Sequence, residues 1–344
     1  MAFFDAKRYD REAFDTANES FGFHIQYFET RLSAESAGLA AHADVVCAFV
    51  NDRVDAAAVS VLRELGIQLI ALRCAGYNNV DLKAVWEKVH VARVPAYSPH
   101  AVAEHAAALL LTVTRQIHRA YNRVREGNFA LSGLVGRDLC GKYAGIAGTG
   151  KIGKITAGIF KGIGMHILAY DKYPDADWAA SCGAEYVDLD ALCAQSDVLS
   201  LHAPLTPETH HLINEERLAR MKHGVVIINT GRGALIDTKA LVHALKKGRI
   251  GGACLDVYEE EEAYFFEDWS ATVIKDDTLA RLLTFPNVLI TGHQAFLTVE
   301  ALGAIAGTTL SNIKQFFEGQ SLPNEICYNC ETGICQKEKS GRCW

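Results

Sequence analysis

No run of apolar residues in the chain approaches the roughly 20 that a membrane-spanning helix needs, so an integral helical membrane protein is not expected. The opening stretch, MAFFDAKRYDREAF, lacks the basic end and long apolar core of a secretory signal, and Asp5, Asp10 and Glu12 argue against a transit peptide. Positive charge is not in excess. The formal net charge is −7, which disfavours nucleic acid or an anionic membrane as the partner. Internal repeats and low-complexity linkers are missing, which excludes solenoid arrays and tethered modules. These absences leave a cytoplasmic globular protein as the expectation.

What is present suits that class. The chain has 344 residues, 49% hydrophobic and 22% charged, enough for two buried cores. Short Val-, Ile- and Leu-rich runs recur at 45–50, 69–76, 143–148, 166–171, 197–204, 224–231, 253–258 and 287–293. They are brief and not alternating, the pattern of parallel strands buried on both faces, and helical spacing fills the gaps. The fold class is therefore α/β with two doubly wound parallel sheets. A long helix is expected from Ser98 as N-cap and Pro99 at the first helical position, running to about residue 120. Val102, Ala106, Leu109, Leu110, Val113 and Ile117 share its apolar face. A second such helix at 297–317 carries the chain back. Residues 99–296 thus read as one domain inserted into another, made of 1–98 and 297–326. A cysteine-rich tail at 327–344 is left over.

The stretch AGTGKIGK places Gly148, Gly150 and Gly153 in the spacing G-x-G-x-x-G. Glycine spacing alone is weak, because glycine-rich turns also serve packing. Here a strand precedes it and a helix follows. Gly148 permits the tight turn, Gly150 lets a pyrophosphate approach, and Gly153 lets helix and strand pack closely. The pattern calls for an acid about 20 residues on, and Asp171 ends the next strand. Its carboxylate suits ribose hydroxyls and repels a 2′-phosphate, so NAD is the expected cofactor.

Three further strand ends carry chemistry. Arg232 follows the strand at 224–231, and a guanidinium can clamp a carboxylate through two parallel hydrogen bonds. Glu259 to Glu262 follow the strand at 253–258; a solvated acidic run is the bland reading, with one member free to turn inward toward a histidine. His293 closes the last strand, where proton transfer beside a nucleotide site is a natural role. His202 lies at another strand end and is read as a cofactor contact. His210 and His211 are read as surface residues whose side chains diverge.

Taken in order, GTGKIG, YDKYP, HAPLTPET, NTGRGALID, LDVYEEEE, FFEDWS and TGHQAFLT resemble the D-isomer-specific 2-hydroxyacid dehydrogenases, and the lactate branch most. LRCAGYNNVD and VPAYSPHAVAEHA extend the likeness into the other domain, to about residue 326. The resemblance implies a Rossmann-type nucleotide domain inserted into a flavodoxin-like substrate domain. It implies Arg232, Glu261 and His293 as the catalytic set. Substrate contacts fall on the backbone of Ala75 and Gly76, on Tyr97 and on Arg232. Besides the glycine loop and Asp171, cofactor contacts fall on Lys151, Ile152, Ala203, Pro204 and Thr209. Thr230, Gly231, Arg232, Asp256 and His293 complete the set. The implied reaction is pyruvate + NADH + H⁺ ⇌ D-lactate + NAD⁺, with His293 as general acid and base. A bulkier 2-keto acid such as phenylpyruvate or hydroxypyruvate is the alternative substrate, and an NADH-sensing corepressor-like protein is the alternative class. The family implies a homodimer or homotetramer.

Ten cysteines remain to be placed. Six are scattered through the body, mostly in apolar segments where buried reduced thiols are the expected reading. Cys327, Cys330, Cys335 and Cys343 have the spacing C-x2-C-x4-C-x7-C, outside the family pattern. One C-x-x-C without a matching second pair is a poor zinc motif. The tail reads first as a mobile segment with reactive thiols, second as a redox switch and third as a structural metal site; no metal is assigned.

Overall fold

A computed structural model of the chain describes residues 1–330 and 335–344; residues 331–334, inside the cysteine-rich tail, lie outside the described residues. The chain divides into two compact units, Met1–Ser98 with Leu297–Trp344, and Pro99–Phe296. The described residues form thirteen strands. In chain order they are β1 (Ala2–Phe3), β2 (Gln26–Tyr27), β3 (Val45–Ala48), β4 (Leu69–Leu72), β5 (His90–Ala92), β6 (Tyr143–Ala147) and β7 (His166–Tyr170). The rest are β8 (Ala184–Tyr186), β9 (Val198–Leu201), β10 (Val225–Asn229), β11 (Ile250–Leu255), β12 (Val288–Ile290) and β13 (Glu325–Ile326). No helix among the described residues is long and apolar enough to cross a membrane.

The first unit holds a six-stranded sheet in the order β13-β5-β4-β3-β1-β2. Its parallel part, read from the other edge as 2-1-3-4-5, has the flavodoxin-like order. β13 pairs antiparallel with β5. The strands β1, β2, β5 and β13 are too short for a hydrophobic-run reading to find them. β1 nevertheless lies inside the sheet, between β2 and β3. β4 ends at Leu72, and the next residue, Arg73, is fully buried. Its Nε meets Asp10 at 3.3 Å, one terminal nitrogen donates to the Asp5 carbonyl at 2.8 Å, and its guanidinium lies over the rings of Phe3 and Phe49. Asp52, also buried, accepts the backbone N–H groups of Leu32 and Phe49. Burial raises its carboxyl to about 6, against the nearby Arg73 charge and those hydrogen bonds. This charged knot fixes the start of the Cys74–Gly76 loop, which is where the family likeness puts substrate contacts.

The second unit holds a seven-stranded, wholly parallel sheet in the order β12-β11-β10-β9-β6-β7-β8. The strand order reverses between β6 and β9, the switch point where ligands collect in such sheets. Successive side chains go to opposite faces, and both faces are covered. Val225 and Ile227 of β10 enter one core with Leu199, Leu201 and Leu255, while Val226 and Ile228 enter the other with Val198, Ile146 and Cys254. Helix Pro99–Thr114 supplies Ala106, Leu109, Leu110 and Val113 to the second core.

That helix is shorter than its apolar spacing suggested. It stops at Thr114, and a separate helix, Ile117–Arg125, begins after Gln116, whose φ of 56° is left-handed and breaks the hydrogen-bond ladder. Ile117 is consequently 52% exposed instead of continuing the buried face. The return helix runs Val299–Phe317, capped by the Thr298 hydroxyl on the Ala301 N–H.

Replacing Arg73 by Met leaves Asp10 buried without its cation and the Asp5 carbonyl without its donor. A loss of about 3–5 kcal/mol is expected, read as a lower denaturant midpoint for the full chain. An unchanged midpoint would show that the knot does not hold the first unit together.

Candidate active site

The parallel register of the second unit lines up six strand ends. Tyr170 pairs with Ala147, Ala147 with Leu201, Leu201 with Asn229, Asn229 with Leu255 and Leu255 with Ile290. The residues immediately beyond that line are Gly148, Asp171, His202, Thr230, Asp256 and Thr291. Most of the residues singled out in this unit therefore emerge along one edge of one sheet.

The glycine loop has the shape that a nucleotide requires. Gly148 has φ +99°, and a Cβ there would lie 2.5 Å from the Ala203 nitrogen, so only glycine fits between the two strand ends. A Cβ on Gly153 would lie 1.9 Å from the Gly148 oxygen, whereas one on Gly150 would meet nothing within 4 Å. The loop is thus tight behind and open in front. Gly150 caps the helix Lys151–Gly162 with no side-chain hydrogen bond, leaving its first N–H groups and the positive end of its dipole for an anion. The Asp171 carboxylate accepts from the Thr149 N–H at 2.6 Å, the Thr149 hydroxyl at 3.1 Å and the Tyr173 N–H at 2.9 Å. The acid and the loop are one hydrogen-bonded piece. Thr230 adds a second indication, because its hydroxyl oxygen is buried with no partner among the described residues. These features fit NAD.

Other residues expected to contact the cofactor turn out to be engaged within the chain. The Thr209 hydroxyl donates to the Pro204 carbonyl at 2.6 Å and accepts from the Thr206 N–H at 2.7 Å, so it closes its own loop. His202 bonds Ser200 through Nε2 at 2.9 Å, and removal from water lowers its pKa to about 4. It is a neutral imidazole at ordinary pH. Asp256 is fully buried and occupied by the loop that follows β12. It accepts from the Thr291 hydroxyl at 2.5 Å and from the N–H groups of Gln294 and Ala295 at 2.9 and 2.8 Å.

His293 sits in that loop with φ +53°, its N–H bonded to the Asp256 carbonyl at 2.8 Å. Its Nδ1 lies 2.7 Å from a Glu261 carboxylate oxygen, and the other Glu261 oxygen accepts the Tyr258 N–H at 2.9 Å. Since a carboxylate only accepts, Nδ1 carries the hydrogen, and Nε2 is left to exchange protons. Among the four consecutive glutamates, Glu259 goes elsewhere, to His211 at 2.7 Å. The rings of His210 and His211 stack at 3.9 Å instead of diverging, because His211 has φ +50° and turns back toward its neighbour.

Arg232 is half-buried, just beyond β10. One guanidinium nitrogen donates to the Gly231 carbonyl at 2.8 Å, and its own carbonyl accepts from Asn229. Among the described residues no carboxylate lies within ion-pair distance of it. In a chain of net charge −7, an unpaired half-buried guanidinium has the chemistry to bind an anion. In the first unit, the Ala75 carbonyl accepts from Arg93 at 2.6 Å and the Gly76 carbonyl from the Cys74 thiol at 3.2 Å, while Tyr97 is half-buried.

Several contributors were not found by sequence reasoning. His105, from helix Pro99–Thr114, reaches Thr291 at 3.0 Å and Asp256 at 3.3 Å and braces the His293 loop. The Tyr258 hydroxyl donates to Asp276 at 2.6 Å, pinning the acidic loop. Gly233 has the Tyr258 backbone so close that a Cβ would lie 2.1 Å from its carbonyl carbon. The second glycine of N-T-G-R-G was the available signal for this close approach.

Residues 107–295 match the family model described as D-isomer specific 2-hydroxyacid dehydrogenase, NAD binding domain. The chain is 51% identical over 327 residues to a D-lactate dehydrogenase of Escherichia coli, covering 95% of this chain and 99% of that one. The apo structure of the E. coli D-lactate dehydrogenase superposes with a TM-score of 0.88 at 49% identity, over 94% of this chain and 99% of the other. A structure of the pyruvate reductase of Chlamydomonas reinhardtii gives 0.91 at 44% identity, over 94% and 97%.

Gly233→Ala is expected to push the acidic loop off the Arg232 loop. The overpacking costs about 1–3 kcal/mol, read as a melting temperature lower by about 2–4 °C per kcal/mol, together with a fall in turnover. A variant with unaltered melting and turnover would remove Gly233 from the site.

Proposed function

The chain belongs to the D-isomer-specific 2-hydroxyacid dehydrogenases, and from that premise we propose that it reduces pyruvate to D-lactate and runs the reverse oxidation. The observation that carries the reading is the hydrogen-bonded pair Glu261–His293 on the same sheet edge as the unpaired Arg232. NAD(H), when bound, accepts or supplies the hydride at the substrate C2. Arg232 holds the substrate carboxylate through its planar fork and draws charge from the keto oxygen. His293 carries the proton for that oxygen on Nε2. Glu261 holds the imidazole in the tautomer and orientation that this requires, as the acid of a Ser-His-Asp triad does for its histidine. The Phe266 ring, 5.7 Å from the His293 ring, limits water at that face. Ala75, Gly76 and Tyr97 keep the substrate-contact role that the family likeness implies.

The names of the relatives support a small 2-keto acid. The pyruvate reductase and the D-lactate dehydrogenase described above align over nearly the whole of both chains. We also read the chain as self-associating, as the family implies. Phe129, Leu131 and Val135 are 74%, 80% and 91% exposed, an apolar surface that a second copy could cover. Sedimentation as a monomer at micromolar concentration would remove that reading.

NADH oxidation followed with a panel of 2-keto acids is expected to be fastest with pyruvate, and the reverse reaction to accept D-lactate and refuse L-lactate. Preference for phenylpyruvate or hydroxypyruvate reassigns the substrate. Tight NADH binding without turnover on any keto acid supports a sensor instead. His293→Ala is expected to lower turnover by about 10²–10⁴-fold, and Arg232→Lys by about 10²–10³-fold, because an ammonium cannot form the two-point clamp. Glu261→Gln should fall by at least about tenfold. Glu259→Gln, which alters the His211 and Thr238 contacts but none to His293, should stay within about twofold. Equal losses at 259 and 261 would show that the pairing does not set the chemistry.

A further inference from the structure

The four cysteines left over by the family pattern come together in the first unit. Cys327 and Cys330 follow β13, while Cys335 and Cys343 flank the short helix Lys337–Ser340. Their sulfurs lie 3.5 Å apart for Cys327–Cys330, 3.7 Å for Cys327–Cys335, 3.9 Å for Cys330–Cys335 and 3.7 Å for Cys330–Cys343. All four lie within 4.8 Å of one another. A zinc ion with Zn–S bonds of about 2.3 Å has tetrahedral sulfur–sulfur edges of about 3.8 Å. The observed edges bracket that value. A disulfide needs about 2.05 Å, and every cysteine of the cluster is a free thiol. An iron–sulfur cluster is a larger body and requires wider sulfur separations than these.

The surroundings are those of a closed structural site. Cys327 and Cys343 are buried, at 5% and 0% exposure. The Cys327 N–H donates to the Cys330 sulfur at 3.2 Å, a hydrogen bond that favours a thiolate there. The Cys343 N–H donates to the buried Glu325 carboxylate at 2.6 Å, and Lys337 bonds the Glu325 carbonyl at 2.8 Å. The tail is not free: Trp344 stacks on His90 at 3.9 Å, and Arg342 donates to the Phe316 carbonyl at 3.0 Å. Yet residues 335–344 contain one four-residue helix and little apolar surface, too little to build a core of their own. Something beyond hydrophobic burial has to bring four polarisable sulfurs to one point.

We propose that Cys327, Cys330, Cys335 and Cys343 form a tetrathiolate site for one zinc ion, which staples the C-terminal segment onto β13 and β5. The site is structural, since all four positions of the tetrahedron are taken by sulfur and none is open to a substrate. This departs from the spacing argument, which looked for a second C-x-x-C. A seven-residue loop containing a short helix brings the fourth ligand back equally well.

The test uses the full-length chain without a metal-binding tag, loaded with Zn²⁺ under reducing conditions and desalted. Elemental analysis is expected to find about one zinc per chain. The Cys330→Ser/Cys343→Ser double variant is expected to fall below about one-tenth, while Cys140→Ser, at an exposed cysteine outside the cluster, keeps its zinc. A second measurement does not depend on the variant folding. Wild-type protein loaded with Co²⁺ should show thiolate-to-cobalt charge transfer and the intense visible bands of a tetrahedral site, and lose both when Zn²⁺ is added. Chelation should lower the melting temperature, and zinc should restore it. Less than about a tenth of a zinc per chain in the wild type, iron in its place, zinc retained by the double variant, or disulfides among the four cysteines under reductant would each overturn the proposal.

Discussion

One buried carboxylate, Asp256, holds the loop that carries His293 in place. Three donors from the loop after β12 converge on it, and its own carbonyl takes the His293 N–H. His293 stands in a left-handed conformation that a non-glycine residue occupies at a cost of about 1–3 kcal/mol. Hydrogen bonds to a charged group contribute about 1.5–3 kcal/mol each, so three of them outweigh that strain. His105 and Thr291 complete the brace. Asp256 therefore does its visible work on the loop, and any touch to the cofactor comes on top of it.

The same economy of contacts sorts the acidic run. Glu259 and Glu261 are two residues apart and half-buried, while Glu260 and Glu262 between and beyond them are exposed. Each inward acid has its own histidine, His211 for one and His293 for the other. Gly233 makes this possible by letting the backbone of Tyr258 come within contact of the Arg232 loop. A side chain there would separate the guanidinium loop from the acid loop, two parts that the proposed chemistry needs side by side.

The first unit shows two ways of holding a small element. At one place a buried guanidinium gathers Asp5, Asp10 and two aromatic rings around the end of β4. At the other, four sulfurs gather around a point at the edge strand β13. Both sit where strands are only two to four residues long and where ladder hydrogen bonds alone leave the sheet edge weak.

By itself the sequence determined the class of fold, the order of the longer strands and the place of the glycine loop, Asp171, Arg232 and His293 at strand ends. These are local matters: buried parallel strands are continuous apolar runs, and glycine marks the turns that follow them. Residue pattern left the four adjacent glutamates open and the family likeness pointed to Glu261, which the tertiary structure sets against His293. Tertiary structure alone decided that Thr209 and Asp256 spend their polar atoms on their own loops, and that the helix after Pro99 breaks at Gln116. It also decided that the tail cysteines gather, with residues 331–334 of that tail outside the described residues. Each of those outcomes depends on a partner distant in the chain or on a single backbone dihedral. Neither leaves a periodic trace in the order of residues.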